Sequence, residues 1–255
     1  MKQTLRFRLN RQRPISAEAY EYRSGHHIEQ HTHSDAQLVY ATAGTMRVLT
    51  RHGLLVVPPQ RAVWIPPGMP HSIDAVSNVS MRTIYVWVQA ANALALPKKC
   101  CVVSVSALLR HLILATIEMP KNYRLVGRHR PLVHLLLHEM RIVDQIPLVL
   151  ISPTDRRLVA VADAFKTDLA NNRPLAAWAK IANASERTVA RLFVLETGLT
   201  FAQWRQQLRL IKAIEMLAND ISVTVVATRL GYASVSAFAY MFRRALGCSP
   251  RKYFA

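Results

Sequence analysis

Two sets of side chains in this 255-residue sequence have the types and spacing that chemistry needs. The first is His31, His33, Gln37 and His71. With Gly25 and Gly44 they follow G-x5-H-x-H-x3-Q-x6-G, and Pro66, Gly68 and His71 add P-x-G-x2-H. On a strand, His31 and His33 point to one side, as two ligands of one metal must, and a neighbouring strand would bring in His71. Three imidazoles and an amide suit a borderline divalent ion. The alternative is that these histidines line a pocket or satisfy turns, and both readings stand at this point.

The second set is a repeat. At an offset of 49 residues Ser185 falls on Ser234, Phe193 on Phe242, Gly198 on Gly247 and Trp204 on Tyr253. Each copy reads as a short helix, a tight turn and a longer helix. Asn183 and Gly231 stand where a left-handed residue must end the first helix, and Ser185 and Ser234 stand at the N-cap of the second. That is helix-turn-helix geometry, twice. Val189, Leu192 and Phe193 form one inward stripe, and Phe238, Met241, Phe242 and Ala245 the other. The outward sets are Ser185, Glu186, Arg187, Thr188 and Arg191, and Ser234, Ser236, Ala237, Tyr240, Arg243 and Arg244. Arginine bonds guanine bidentately, Ser and Thr pair with several base edges, and Ala touches the thymine methyl. A lone arginine reads as solvated surface; two matched constellations read as base-reading faces.

These residues need elements to hold them. Residues 36–90 are short runs rich in Val, Ile, Tyr and Thr, punctuated by Gly and Pro, which predicts a β-sandwich or barrel. From 102 the apolar spacing becomes helical, over 102–119 and 129–143. The stripes Leu108, Leu112, Ala115 and Leu132, Leu135, Leu136, Met140 either pack on the barrel or form a dimer face. Pro147, Ser152 and Pro153 mark a linker, and after Asp155 the chain reads as helix up to Tyr253. The expected fold class is α+β in two domains. A basic arm spans 1–19, a β-barrel 20–95, a helical pair 96–146 and a linker 147–154. The all-α domain takes 155–255, with its helix-turn-helix motifs at about 174–197 and 222–246 and a long helix between them.

Charge points to a polyanion. Lys and Arg number 33 against 15 Asp and Glu, a net charge of +18. Both halves are basic, with 18 against 8 through residue 151 and 15 against 7 after it, so charge alone does not locate the binding face. No apolar run approaches the ~20 residues of a membrane helix, so no membrane partner is expected. Lys2, Arg6, Arg8, Arg11 and Arg13 are followed by no apolar segment, which argues against a secretion signal. Cys100, Cys101 and Cys248 give no disulfide framework and suit a reducing compartment.

The stretch VATRLGYASVSAFAYMFRRALGCSPRKYF resembles the signature of AraC/XylS-type transcriptional regulators, and SERTVARLF, ETGLTFAQWRQQLRL and AIEML resemble the rest of that DNA-binding domain. The resemblance covers about 156–255 and implies a bipartite helix-turn-helix domain on double-stranded DNA, with an operator of about two helical turns per protomer. Val194 and Leu195 depart from the family's frequent basic residues, and Trp178 is bulkier than usual.

The histidine spacings resemble the two cupin motifs, with Gln37 in place of the usual Glu, Gln at 60 for Gly and Ala75 for Asn. In regulators of this kind the barrel ordinarily senses an effector and dimerises. The implied function is a cytoplasmic bacterial regulator, activator or repressor, which controls an adjacent gene and its own expression. Its further partners would be a small-molecule effector, a second copy in a homodimer, and RNA polymerase if it activates. No cofactor is required; a divalent metal at His31, His33, Gln37 and His71 is the one the sequence could hold. The competing function is a metal-dependent cupin enzyme with an accessory helical domain. An enzyme has no need of paired recognition helices, so the non-enzymatic reading is preferred.

Overall fold

The computed structural model describes residues 9–51, 53–59, 61–141, 145–146 and 148–253. Lys2, Arg6 and Arg8 of the expected arm, Gln60 and Pro147 lie outside them. The described residues form two compact units, one built from residues before 148 and one from Leu148 onward, which also takes in Gly53 and Leu54.

Eight strands come first, all in the first unit but for Gly53 and Leu54 of β5: β1 (Ile15–Tyr22), β2 (His27–His31), β3 (Ala36–Ala43), β4 (Met46–Thr50), β5 (Gly53–Val57), β6 (Arg61–Ile65), β7 (His71–Ala75) and β8 (Val79–Val86). Then come α1 (Val88–Ala93), β9 (Cys101–Ser104), α2 (Ala107–Ile117), α3 (His129–Arg141) and β10 (Gln145–Ile146). One sheet has the order β1-β8-β3-β6-β9-β10; in the second, β5, β4, β7 and β2 are successive neighbours. Strand β3 is buried on both faces. Ala36, Leu38 and Tyr40 join a core with Trp64, Ile84, Leu109, Leu112, Ile113, Val133, Leu136 and Met140, under α2 and α3. Gln37, Val39 and Ala41, which alternate with them, point the other way and are equally buried. Gly44 turns the chain from β3 to β4 at φ 77°, with its Cα face against the Asn78 backbone, so no side chain fits there.

Three expectations are corrected. Residues 15–19 belong to β1, not to an arm: Ile15 pairs with Val86 and Ala19 with Arg82. The tie is reinforced by Tyr123, whose hydroxyl donates to the Ile15 carbonyl at 3.1 Å. The helix expected from 102 begins at Ala107, because Val102 and Val103 extend the sheet beside β6 and Ser106 caps the helix through the Leu109 N–H at 3.0 Å. The two helical stripes also split. Leu112, Leu136 and Met140 pack on the sheet, whereas Leu108 and Leu135 are exposed.

The second unit holds β11 (Val149–Leu150) and seven helices among the described residues: α4 (Arg156–Thr167), α5 (Leu175–Ile181), α6 (Glu186–Thr197), α7 (Phe201–Leu217), α8 (Val223–Arg229), α9 (Val235–Leu246) and α10 (Pro250–Tyr253). Asp155, Ser185, Thr200, Ser222 and Ser234 cap α4, α6, α7, α8 and α9 with side-chain oxygens. Phe165, Trp178, Phe193, Phe201 and Trp204 form an aromatic core for the first helix pair, with ring centroids 5.0–6.4 Å apart. Trp178 is thus a core residue, and its bulk lies away from the surface. Helix α7 has 17 residues, a strut of about 25 Å at ~1.5 Å per residue. Among the described residues no helix is long and apolar enough to cross a membrane.

Candidate nucleic-acid interface and effector pocket

The repeat folds as two helix-turn-helix motifs, α5–α6 and α8–α9. Asn183 (φ 46°) and Gly231 (φ 73°) are the left-handed residues that follow α5 and α8. Ser185 Oγ accepts from the Thr188 N–H at 3.1 Å, and Ser234 Oγ from the Ala237 N–H at 3.1 Å. Both serine oxygens are therefore spent on capping, and the Ser185 and Thr188 hydroxyls also bond each other at 2.9 Å.

Burying Val189, Leu192 and Phe193 turns Glu186, Arg187 and Arg191 outward on α6. Burying Phe238, Met241, Phe242 and Leu246 leaves Ser236, Ala237, Tyr240, Arg243 and Arg244 exposed on α9. The two faces are chemically inverted. The exposed charges of α6 lie in its first two turns, whereas those of α9 lie in the last turn. Val194 and Leu195, 49% and 71% exposed, occupy the positions that Arg243 and Arg244 take in the second copy. Val235, also exposed, is a residue the sequence reading passed over; its place directly after the N-cap was the available signal.

The histidines meet at the edge of the second sheet. A β-bulge between Ile28 and His31 makes His31 the cross-strand partner of His71. Ring centroids lie 4.4 Å apart for His31–His71, 4.7 Å for His31–His33 and 5.4 Å for His33–His71. The candidate ligand nitrogens all lie within 4.8 Å of one another. His33 lies beyond the end of β2, held by the Gly68 N–H, which donates to its carbonyl at 2.8 Å. This ties the second motif to the first. Nδ1 of His31 faces the Glu29 carbonyl at 2.8 Å and Nδ1 of His71 faces the Met69 carbonyl at 2.9 Å. A carbonyl only accepts, so Nδ1 is the donor in both rings and Nε2 is the candidate ligand atom.

Gln37 is buried beside this cluster. Its amide nitrogen donates to Thr83 Oγ1 at 2.9 Å and Tyr85 Oη at 3.2 Å, and the Tyr85 ring lies 5.1 Å from the His33 ring. Among the described residues its Oε1 is buried with no hydrogen-bond partner. Thr83 and Tyr85 were missed in the sequence. Their alternation on β8 opposite Gln37 was a signal, but only the register makes it usable. His27 stands outside the cluster: it faces Asp74 at 2.7 Å on the exposed side, and that hydrogen bond raises its pKa. Burial pushes the Cys100 and Cys101 thiols up to about 12 and about 11, so neither supplies a thiolate nucleophile.

Comparison with known proteins decides the family. Residues 178–255 match a helix-turn-helix domain family and residues 14–118 match the AraC-like ligand binding domain. The HTH-type transcriptional regulator NimR of Escherichia coli K12 is 35% identical over 225 residues, 88% of this chain and 81% of that protein. The chain belongs to the AraC family of transcriptional regulators. The transcriptional regulator RipA of Corynebacterium glutamicum is 36% identical over 101 residues, 40% of this chain and 30% of that protein. The DNA-binding domain of AdpA, solved in complex with a target DNA, is 35% identical, with 40% of this chain and 91% of that one covered at a TM-score of 0.36. As an AraC-family regulator the chain joins a β-rich ligand-binding unit to a helical DNA-binding unit, and the helix-turn-helix pair is the element that binds DNA.

Proposed function

We propose that this regulator reads an operator of about two helical turns per protomer, with α6 and α9 in successive major grooves. The observation that carries this reading is the pair of serine-capped helices, each with its apolar stripe buried and its polar stripe exposed. Arg187 and Arg191 read bases from α6; Ser236, Ala237 and Tyr240 do so from α9, where Arg243 and Arg244 reach phosphate. Ser185, Thr188 and Ser234 hold the helix starts whose N–H groups face the backbone phosphates, and Glu186 discriminates by accepting from cytosine or repelling phosphate. The test is footprinting on the DNA flanking its own gene, with excess random competitor at ~0.15 M salt. A protected site of about two turns that survives competitor supports the reading. Binding abolished by competitor would leave only charge-driven attraction.

The β-rich unit is the sensor, and His31, His33 and His71 are its binding residues. The donor set fits a divalent transition ion. Three imidazoles converge, two of them oriented through Nδ1 by backbone carbonyls, as metal-binding histidines usually are. The buried Gln37 Oε1 adds a neutral oxygen. Because all four donors are neutral, a bound ion would keep its double charge and favour an anionic effector or one with a nitrogen or oxygen donor. Zinc or nickel titration against a chromophoric chelator tests this: one ion per chain with loss of binding in His31→Ala is expected, and unchanged binding in that variant would sink it.

The regulator acts in the cytoplasm on its own promoter and an adjacent gene. Exposed Leu108 on α2 and Leu135 on α3 support a homodimer through these helices, and RNA polymerase is the further partner where it activates. Light scattering of the parent and a Leu108→Glu/Leu135→Glu variant checks the dimer.

A further inference from the structure

The strut α7 does more than join the two helix-turn-helix motifs. Arg209, 9% exposed at its middle, donates through Nε to the Leu169 carbonyl at 2.7 Å. Its Nη2 reaches the Asn171 carbonyl at 3.2 Å and Asn172 Oδ1 at 3.0 Å. The other end of the Asn172 amide donates to the Gly231 carbonyl at 2.9 Å. Gly231 is the turn residue of the second motif, and a Cβ there would lie 2.7 Å from the Ala170 Cα, so only glycine lets the two backbones approach. The guanidinium also lies 5.3 Å from the ring of Phe165, in the aromatic core of the first motif, and 5.9 Å from the ring of Tyr232, in the turn of the second. Tyr232 packs on Phe238 of α9 at 5.4 Å, and the Trp178 indole of α5 donates to the Arg173 carbonyl at 3.2 Å. A continuous path of polar and ring contacts thus runs from α5, through loop 169–173, to α9.

We propose that the Arg209–Asn172–Gly231 clasp is a specificity determinant: it locks the second motif to the loop that leads into the first and so sets which spacing between the two half-sites the regulator accepts. This rests on the reading that α6 and α9 occupy successive grooves of one operator. A single helix of ordinary stiffness leaves one contact line between the motifs, about which they can rock. The clasp adds a second line off the strut axis, and two lines fix an orientation. Hydrogen bonds to a charged donor are the stronger kind, and the guanidinium fork orients both the loop carbonyls and the Asn172 oxygen. Asn172 and Arg209 need touch no base to act, because a rigid pair of helices fits one groove phase and penalises others.

The test uses the full-length protein and DNA selected from a random pool by the parent, re-synthesised with one to three base pairs inserted or removed between half-sites. The parent is expected to lose about 30-fold or more in affinity at the wrong spacings. Asn172→Ala, an exposed substitution, is expected to flatten that loss to less than about fivefold while the parent spacing is bound nearly as well. Asn172→Asp keeps an acceptor for Arg209 but cannot donate to Gly231, so it should flatten the profile with no fall in melting temperature. A purely structural role would lower affinity at every spacing in proportion to lost stability. Profiles as steep as the parent's in both variants would overturn the proposal. A parent indifferent to spacing, with a footprint of one turn, would instead remove the two-groove reading and the proposal with it.

Discussion

His31 and His71 are direct partners across β2 and β7, and a single extra residue puts them there. Ile28 pairs with Ile73 and His31 with His71, so β2 spends three residues where β7 spends two. In a regular strand, residues three apart face opposite sides. The bulge turns both Ile28 and His31 to the buried face, and without it Gln30 would point there instead of His31. The convergence of the imidazoles therefore depends on one local irregularity.

The first prediction concerns this cluster. His31→Ala or His71→Ala should weaken divalent-ion affinity by at least about 100-fold, beyond what loss of an outer partner produces. DNA affinity of the metal-free protein should stay within about twofold, since neither residue belongs to the helical unit. Gln37→Glu should tighten the ion by roughly tenfold, because a carboxylate compensates its charge, and should lower the melting temperature of the ion-free protein. Chelator competition and calorimetry on the same samples read both effects. A tighter ion-free protein would contradict the assignment.

On the DNA side, Arg187→Ala should cost about 1–3 kcal/mol on the selected site and little on random DNA. Arg244→Ala, at the end of α9, should weaken both by similar factors and reduce the salt slope by about one. Titrations at three salt concentrations separate the two behaviours. Equal loss on both DNAs for Arg187→Ala would make it a phosphate contact.

Asp155 caps α4 and is bonded by the Arg157 guanidinium at 2.7 and 3.0 Å, which holds its pKa down at about 2. A carboxyl whose folded pKa is depressed stabilises the native state above its unfolded value near 4 and loses that contribution as pH falls toward 2. NMR titration of the Asp155 carboxyl carbon should show a midpoint near 2. In Arg157→Gln the midpoint should rise toward the ordinary value. A parent midpoint already near 4 would show that the pair does not form.

Trp204 is fully buried, and its indole nitrogen donates to the Ile151 carbonyl at 2.9 Å. Trp204→Ala should cost the helical unit about 3–5 kcal/mol by opening a cavity. Trp204→Phe, which keeps a ring and strands the carbonyl, should cost about 1–3 kcal/mol. Denaturant melts followed at 222 nm rank the two, and a larger loss for Phe than for Ala would contradict this packing.

The helical unit was largely legible because its signals are local. Ser185 and Ser234 as caps, Asn183 and Gly231 as left-handed stops, and the Phe193 and Phe242 stripes all lie within one turn of what they control. The start of β1 at Ile15 was hidden because Ile15 is fixed by Val86 and Tyr123, each more than seventy residues away. The strand at Cys101–Ser104 was hidden for a related reason: CVVS precedes a true helix, and only pairing with Arg61–Trp64 separates the two.

The sequence by itself determined that the helical repeat exists, which faces its second helices bury, and that histidines recur at ligand-like spacing. Periodicity and capping carry that information because they act between neighbours in the chain. Tertiary structure alone decided that the β2 bulge aims His31 at His71, that Gly68 holds His33, and that Gln37 leaves a buried oxygen beside them. It also decided that Asn172 links Arg209 to Gly231, residues 37 and 59 positions away from it. Register and close approach between distant segments follow from how whole faces pack, and no local pattern of residues encodes them.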